Sequence, residues 1–148
     1  MGRPENAVAV FHSVFNCAQA VFSAVSEDLG LDRERALKVA GAFGGGMGRM
    51  GLTCGAVTGA FMAIGLKHGK YLPEDNAARE KTYALAQEFT KRFQALHGSI
   101  CCSSLLGCDI GTPEGSAYAK EHGLYDSLCP RLVADAVRIV EELLEMEK

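Results

Sequence analysis

The chain lacks the features that mark nucleic-acid-binding and exported proteins. It contains no tryptophan, its net charge is -3, and no block of lysine and arginine occurs anywhere along it. Nucleic-acid binding requires such a basic surface, so we predict no nucleic-acid partner. The first residues also lack the charged and then apolar layout of a signal peptide, and we therefore interpret the protein as cytoplasmic.

Strand and membrane signals are scarce as well. No run of β-branched residues alternates with polar ones, which argues against a β-sheet. The stretch 50–66 carries no charge. It is at the short limit for a transmembrane helix and is rich in glycine and alanine, so we predict no membrane span.

The six cysteines include no C-x-x-C pair. This absence excludes zinc ribbons, thioredoxin motifs and bacterial ferredoxin runs, which all depend on close local spacing. In a reducing cytosol, cysteines are more often metal ligands, redox groups or buried packing residues than structural disulfides. Thiols so far apart in the sequence can act together only if the fold brings them together.

Helical periodicity, by contrast, runs along nearly the whole chain. We predict a single domain, residues 1–148, that is a helical, cysteine-containing redox domain. Its fold class is predicted to be all-α, a compact bundle of four to five main helices with short helical turns. The predicted helices are 5–29, ended by Gly30; a second capped by Asp32; 53–67; 73–96; and a last one from Pro130, with short helical turns within 99–129.

Residues 46–51 match the pattern G-x-G-x-x-G. A dinucleotide site needs a preceding strand and an acidic residue about 20 positions later, and neither is present. We interpret the segment as a loop that lets backbone approach a cofactor, with Gly48, Gly51 and Gly55 as candidate cofactor-binding residues; tight packing alone is the alternative. Gly51, Gly55 and Gly59 also place small residues on one face, which can pack within the monomer or across a homodimer.

Three cysteines are predicted to lie where a helix begins, a position that favours the thiolate. Cys129 directly precedes Pro130, Cys54 lies near the start of the third helix, and Cys102 opens a short turn. Cys17 is predicted in the middle of the first helix on its apolar face, where a buried packing role is the alternative. The histidines that precede glycines are interpreted as helix ends and not as ligands: His68, His97 and His122.

These residues resemble the C_GCAxxG_C_C family of redox-active proteins over nearly the whole chain. The resemblance rests on Cys17 in 16–19, the C-G-A-x-x-G motif at 54–59, Cys102 and Cys129. Thr53 stands where the family name has glycine, and Ser103 where we expect an arginine in family members. The resemblance implies thiol redox chemistry, since some members are selenoproteins. It also implies an iron–sulfur centre, by analogy with a similar domain of split-Soret cytochromes.

We therefore predict that Cys17, Cys54, Cys102 and Cys129 converge as ligands of an iron–sulfur cluster, most plausibly two-iron two-sulfur, for electron transfer to a redox partner protein. A single zinc or iron ion held by the same four cysteines stays open. The alternative is a thiol–disulfide oxidoreductase in which Cys54 or Cys129 attacks and a second cysteine resolves. A further alternative is a non-catalytic helical binding module. Whether the protein is an enzyme, and what Cys101 and Cys108 do, stay open.

Overall fold

The computed structural model describes residues 2–147, and most of them are helical. Two short 3-10 helices, Glu27–Leu29 and Gly41–Phe43, accompany the α-helices. In chain order the α-helices are α1 Arg3–His12, α2 Cys17–Ser26, α3 Arg33–Val39, α4 Gly55–His68, α5 Asn76–His97, α6 Cys102–Leu106, α7 Pro113–Glu121, α8 Leu124–Ser127 and α9 Cys129–Leu143.

The all-α prediction is confirmed. Within residues 2–147 no strand forms, and β-pairing is limited to one isolated bridge between Thr53 and Cys101. The predicted number of four to five main helices is not matched. The segment predicted as one first helix forms two helices, and the predicted turns of 99–129 include the separate helices α6, α7 and α8.

The prediction of one helix over 5–29 is wrong because the chain breaks after α1. Val14 has a φ of 75°, a left-handed conformation that ends a helix and that β-branched residues rarely adopt. Asn16 then begins α2 through a capping box: its side chain accepts from the Gln19 N–H at 2.9 Å, and the Gln19 side chain accepts from the Asn16 N–H at 3.0 Å. Cys17 is consequently the first residue of α2 and not a residue in mid-helix.

Other helix boundaries follow the sequence more closely. Gly30 and Gly98 end their helices in the left-handed conformation, and Asp32 caps α3 by accepting from the Arg35 N–H, all as predicted. The predicted helices 53–67 and 73–96 are α4 and α5, with shifted ends. The inward face of α5 is formed by Phe89 and Phe93, whereas Leu96 near its end is 62% exposed.

The core is built around α4, which packs against α2, α5 and α9. Glycines permit the close approach of α2. A Cβ atom on Gly55 would lie 2.9 Å from the backbone N of Ala18, and one on Gly59 would lie 2.8 Å from the Ala18 carbonyl oxygen. Of the two uses left open for the small-residue face, the structure shows packing within the chain.

A polar contact joins the first helix to the last. The Arg3 guanidinium donates to the Glu141 carboxylate of α9 at 2.7 Å, to Asp28 at 2.8 Å and to the backbone carbonyl of Glu147. The Glu141 side chain is only 5% exposed, so Arg3 supplies the opposite charge that this buried carboxylate needs.

None of the helices in the described part of the chain combines the length and the apolar character needed to cross a bilayer. The uncharged stretch 50–66 forms the end of a loop and most of α4, and the inward face of α4 is buried against other helices of the same chain.

Candidate cysteine cavity

One cavity of about 560 Å³ is lined by the four cysteines that the sequence singled out. Each of them stands where a helix begins. Cys17, Cys102 and Cys129 are the first residues of α2, α6 and α9, and Cys54 is the N-cap of α4. Four helix starts thus meet at one place, and the predicted convergence of these residues on one cavity is seen.

Cys17 is held in place by the residue before it. Besides the capping box, the Asn16 side-chain amide donates to the carbonyl of Gly41 at 3.2 Å, and the Gln19 amide donates to the carbonyl of Leu37 at 3.0 Å. The start of α2 is therefore fixed both to α3, at Leu37, and to the segment that follows α3, at Gly41. The close approach of Gly55 then brings the start of α4 against Cys17, since a Cβ atom on Gly55 would lie 3.1 Å from the Cys17 Cβ.

Backbone hydrogen bonds fix Cys54 against Cys102. The Cys54 N–H donates to the carbonyl of Ile100 at 2.7 Å, and the Cys102 N–H donates to the carbonyl of Leu52 at 2.6 Å. These two bonds flank the bridge between Thr53 and Cys101. The starts of α4 and α6, which are far apart in the sequence, are thereby joined at Cys54 and Cys102.

The glycine-rich loop forms a left-handed turn beside the cavity. All residues from Gly45 to Arg49 have φ between 61° and 66°, and Met47 and Arg49 are not glycines. Left-handed backbone costs an L-residue about 1–2 kcal/mol, so the turn holds two residues in a costly conformation. A Cβ atom on Gly46 would lie 2.6 Å from the Cys102 Cβ, which shows how closely the turn contacts that cysteine.

Burial governs the protonation of two of the thiols. It raises the pKa of Cys54 to about 11, although the backbone N–H groups of Ala56 and Val57 act in the opposite direction. Burial and the neighbouring Cys54 and Cys129 raise the pKa of Cys102 to about 12. The expectation that a helix start makes Cys54 and Cys102 thiolates is therefore wrong for the metal-free protein, because loss of water costs the charged form more.

Cys17 and Cys129 interact directly. A hydrogen bond between their sulfurs raises the pKa of Cys17 well above its usual value, with burial adding to the shift. The same bond lowers the pKa of Cys129 against the effects of burial and of Asp126. Cys129 is thus the sulfur of the pair that ionises more readily, because Cys17 donates to it.

The polar residues that line the cavity include Arg49, Lys120 and Tyr125, which sequence reasoning did not assign to the site. Burial is the largest of the effects that raise the pKa of Tyr125; Cys102 and Cys129 add to it and Arg49 opposes it, which places the phenol among these groups. Lys120 and Tyr125 come from α7 and α8, whose placement no local pattern in the sequence indicates.

The other two cysteines do not line this cavity. Cys101 is the N-cap of α6, and the backbone N–H of Ser104 lowers its pKa. Cys108 is half-buried and packs beside Cys102 and Cys129. All six cysteines are free thiols.

Of the candidate cofactor-binding glycines, Gly48 and Gly55 line the cavity and Gly51 does not. The Gly51 carbonyl instead accepts hydrogen bonds from the Ser103 hydroxyl at 2.8 Å and the Ser103 N–H at 3.3 Å. Ser103 thus positions the loop. Among residues 2–147, no three histidine, cysteine, aspartate or glutamate side chains are grouped tightly enough to hold one metal ion.

Comparison with known proteins identifies a family. The model of a family described as "Putative redox-active protein (C_GCAxxG_C_C)" matches residues 15–143, a range that contains all four cavity cysteines. No curated protein and no solved structure matches the chain.

Proposed function

Since the chain belongs to the C_GCAxxG_C_C family, whose description is redox-active, we propose that its cavity cysteines hold an iron–sulfur cluster and that the protein transfers electrons. The observation that carries the proposal is that Cys17, Cys54, Cys102 and Cys129 reach one cavity from four helix starts. Four cysteine sulfurs are the ligand set that two-iron and four-iron clusters require.

The donor set and the space both fit a cluster. The cavity of about 560 Å³ leaves room for an inorganic core between the four cysteines. A cluster held by Cys17, Cys54, Cys102 and Cys129 would supply one-electron redox chemistry, and each of these cysteines stands at a helix start, where backbone N–H groups are available as donors.

The thiols' protonation gives the site a pH dependence. Cys54 and Cys102 hold their protons in the metal-free protein because burial raises their pKa to about 11 and about 12. Ligation requires thiolates, so assembly of a cluster must release these protons. Six free thiols suit a reducing compartment such as the cytoplasm. Electron transfer would also require a redox partner protein.

The test is purification without oxygen, followed by iron and acid-labile sulfide analysis and a visible spectrum. Serine in place of Cys17, Cys54, Cys102 or Cys129 is expected to lower iron and sulfide at least about tenfold, since each substitution removes one ligand. Cys108→Ser is the matched control and is expected to keep both, because Cys108 packs near the site without lining the cavity. A colourless protein that binds no iron, even after reconstitution with iron and sulfide, contradicts the proposal.

The hydrogen bond between the sulfurs of Cys17 and Cys129 favours a second candidate, a thiol–disulfide oxidoreductase. The Cys129 thiolate would attack one sulfur of a substrate disulfide, forming a mixed disulfide and releasing the other sulfur as a thiolate, which takes up a proton. Cys17 would then lose its proton and attack the Cys129 sulfur, which releases the second substrate thiol and leaves a Cys17–Cys129 disulfide. Two electrons pass to the substrate, and a partner dithiol restores the pair.

A trapping experiment separates this candidate from the cluster. Cys17→Ser removes the resolving thiol and is expected to accumulate a mixed disulfide at Cys129 when the protein meets a small disulfide such as oxidised glutathione. Cys54→Ser keeps the pair and is expected to resolve it. Equal trapping in both variants, or none, excludes the Cys17–Cys129 reaction.

A further inference from the structure

The cavity is larger and more varied than cysteine chemistry alone requires. Its volume of about 560 Å³ lies within the range of small-molecule sites. Part of its wall is apolar and is formed by residues from several helices and the segment after α6: Phe11, Leu105, Leu106, Ile110 and Leu132. An apolar wall beside a few polar groups is the usual composition of a site for an organic ligand.

The charged side chains that line this cavity are all positive. Arg49 and Lys120 are the charged side chains of its lining, which includes no acidic residue. Within the described chain neither cation forms an ion pair or a side-chain hydrogen bond, so no acidic side chain neutralises their charge. Two cations without a protein partner attract an anion from solution.

The left-handed turn adds backbone N–H groups, which also favour an anion. The backbone N–H groups of Gly45, Gly46 and Gly48 find no acceptor among residues 2–147, and all three glycines line the cavity. Successive N–H groups in left-handed backbone form a concave site that favours anions. Cys54, Cys102 and Cys129 are buried, while Arg49 and Lys120 are exposed, so the cysteines form the floor and the cations the mouth.

We propose that this cavity binds a small organic anion, with its carboxylate or phosphate group held by Arg49, Lys120 and the glycine turn, and its apolar part against the wall beside the cysteines. The ligand would lie next to the redox-active sulfurs. This inference goes beyond the proposed cluster and does not depend on it, because the cations line the cavity whichever chemistry the cysteines perform.

The test is calorimetric titration of the reduced, full-length protein with three probes. Phenyl phosphate carries both an anionic group and an apolar ring, inorganic phosphate carries only the first, and phenol only the second. We expect saturable one-to-one binding of phenyl phosphate, weaker binding of phosphate and none of phenol. Equal binding of phenyl phosphate and phenol, or no binding of phenyl phosphate, overturns the proposal.

Variants locate the binding. Arg49→Gln and Lys120→Gln are each expected to weaken phenyl phosphate binding about fivefold, the effect of removing one charge near the ligand in a hydrated site. Arg33→Gln is the matched control, since Arg33 is an exposed cation of α3 that lies outside the cavity, and it is expected to change nothing. An equal loss in Arg33→Gln would mean that only the overall charge matters and would overturn the proposed site.

Iron and sulfide analysis of the same variants separates this inference from the cluster. If the native protein binds phenyl phosphate but holds no iron, the result supports the anion site. The same result contradicts the proposed cluster. Loss of iron in Arg49→Gln and Lys120→Gln, with no phenyl phosphate binding to the native protein, means that the cations serve the cluster, and it overturns the anion site alone.

Discussion

Cys17 and Cys129 have identical side chains, but their contact with each other gives the two thiols different pKa values. Both begin a helix, and both line the same cavity. Their shared hydrogen bond stabilises the charge on one sulfur by the proton on the other, so the pKa of Cys129 falls while that of Cys17 rises. Cys54 and Cys102 have no such donor strong enough to offset burial, and they stay protonated.

This difference predicts the order of reactivity toward alkylation. In metal-free, reduced protein, Cys129 is expected to react with iodoacetamide at a lower pH than free glutathione does, because the thiolate is the nucleophile and its pKa is lowered. Cys17→Ala removes the donor, so the pH midpoint of Cys129 alkylation is expected to rise, because the thiolate loses the hydrogen bond that stabilises it. Mass spectrometry of the alkylated peptides measures the profile.

Cys108→Ala is the control for that profile, since Cys108 packs nearby without being the donor to Cys129. It is expected to leave the Cys129 midpoint in place. The hydrogen-bond explanation fails if the Cys17 and Cys108 variants move the midpoint equally.

For the helices, the sequence predicted several ends correctly but missed the interruption between α1 and α2. Gly30, Asp32 and Gly98 act locally, through a left-handed φ or a side-chain cap, and all three were placed correctly. The break before Cys17 was missed because the apolar spacing continues across it. A local signal was present: Asn16 followed by Gln19 three residues later has the pattern of a capping box.

The cavity itself was predictable in part only. The family pattern identified its cysteines, whereas Lys120 and Tyr125 reach it through the packing of α7 and α8, which depends on contacts distant in sequence. The thiolate expectation failed at Cys54 and Cys102 for a related reason. A helix start is visible in a sequence, but the burial that opposes it is a property of the assembled molecule.

Two glycine variants separate the stability cost of a left-handed backbone from the cost of a close contact. Gly46→Ala places a Cβ at positive φ and within 2.6 Å of the Cys102 Cβ, whereas Gly107→Ala has a similar φ and open space around it. We expect Gly107→Ala to lower the free energy of unfolding by about 1–2 kcal/mol and Gly46→Ala to cost roughly 1–3 kcal/mol more. Urea unfolding measures both, and equal losses would show that the contact with Cys102 contributes nothing.

The packing of α4 on α2 predicts opposite effects for two glycines of one helix. Gly59→Ala would force a Cβ to within 2.8 Å of the Ala18 carbonyl oxygen and is expected to cost roughly 1–3 kcal/mol. Gly65→Ala meets nothing within 4 Å and is expected to stabilise the protein by about 0.5–1 kcal/mol, because alanine favours the helix. Thermal unfolding of the two variants should move in opposite directions, and a loss of stability in both contradicts the packing argument.

The whole molecule is joined by a contact between its first and last helices. Arg3→Ala leaves the Glu141 carboxylate, 5% exposed, without its cation, and we expect a loss of roughly 2–4 kcal/mol in the free energy of unfolding. Arg35→Ala removes an exposed pair with Asp32 and is expected to change stability little. Adding Glu141→Leu to Arg3→Ala is expected to recover part of the loss, since the buried charge disappears. No difference between the Arg3 and Arg35 variants would contradict this account.

The same contact brings the two ends of the described chain together, because the Arg3 guanidinium also reaches the backbone of Glu147. A short linker could therefore close the chain into a ring, and the ring could be reopened in the exposed link 71–74 between α4 and α5. Such a circular permutant would meet Cys102 and Cys129 before Cys17 and Cys54 along its chain and still assemble the same cavity. The order of the four cysteines along the chain would change, while the four helix starts that bring them to the cavity would stay the same.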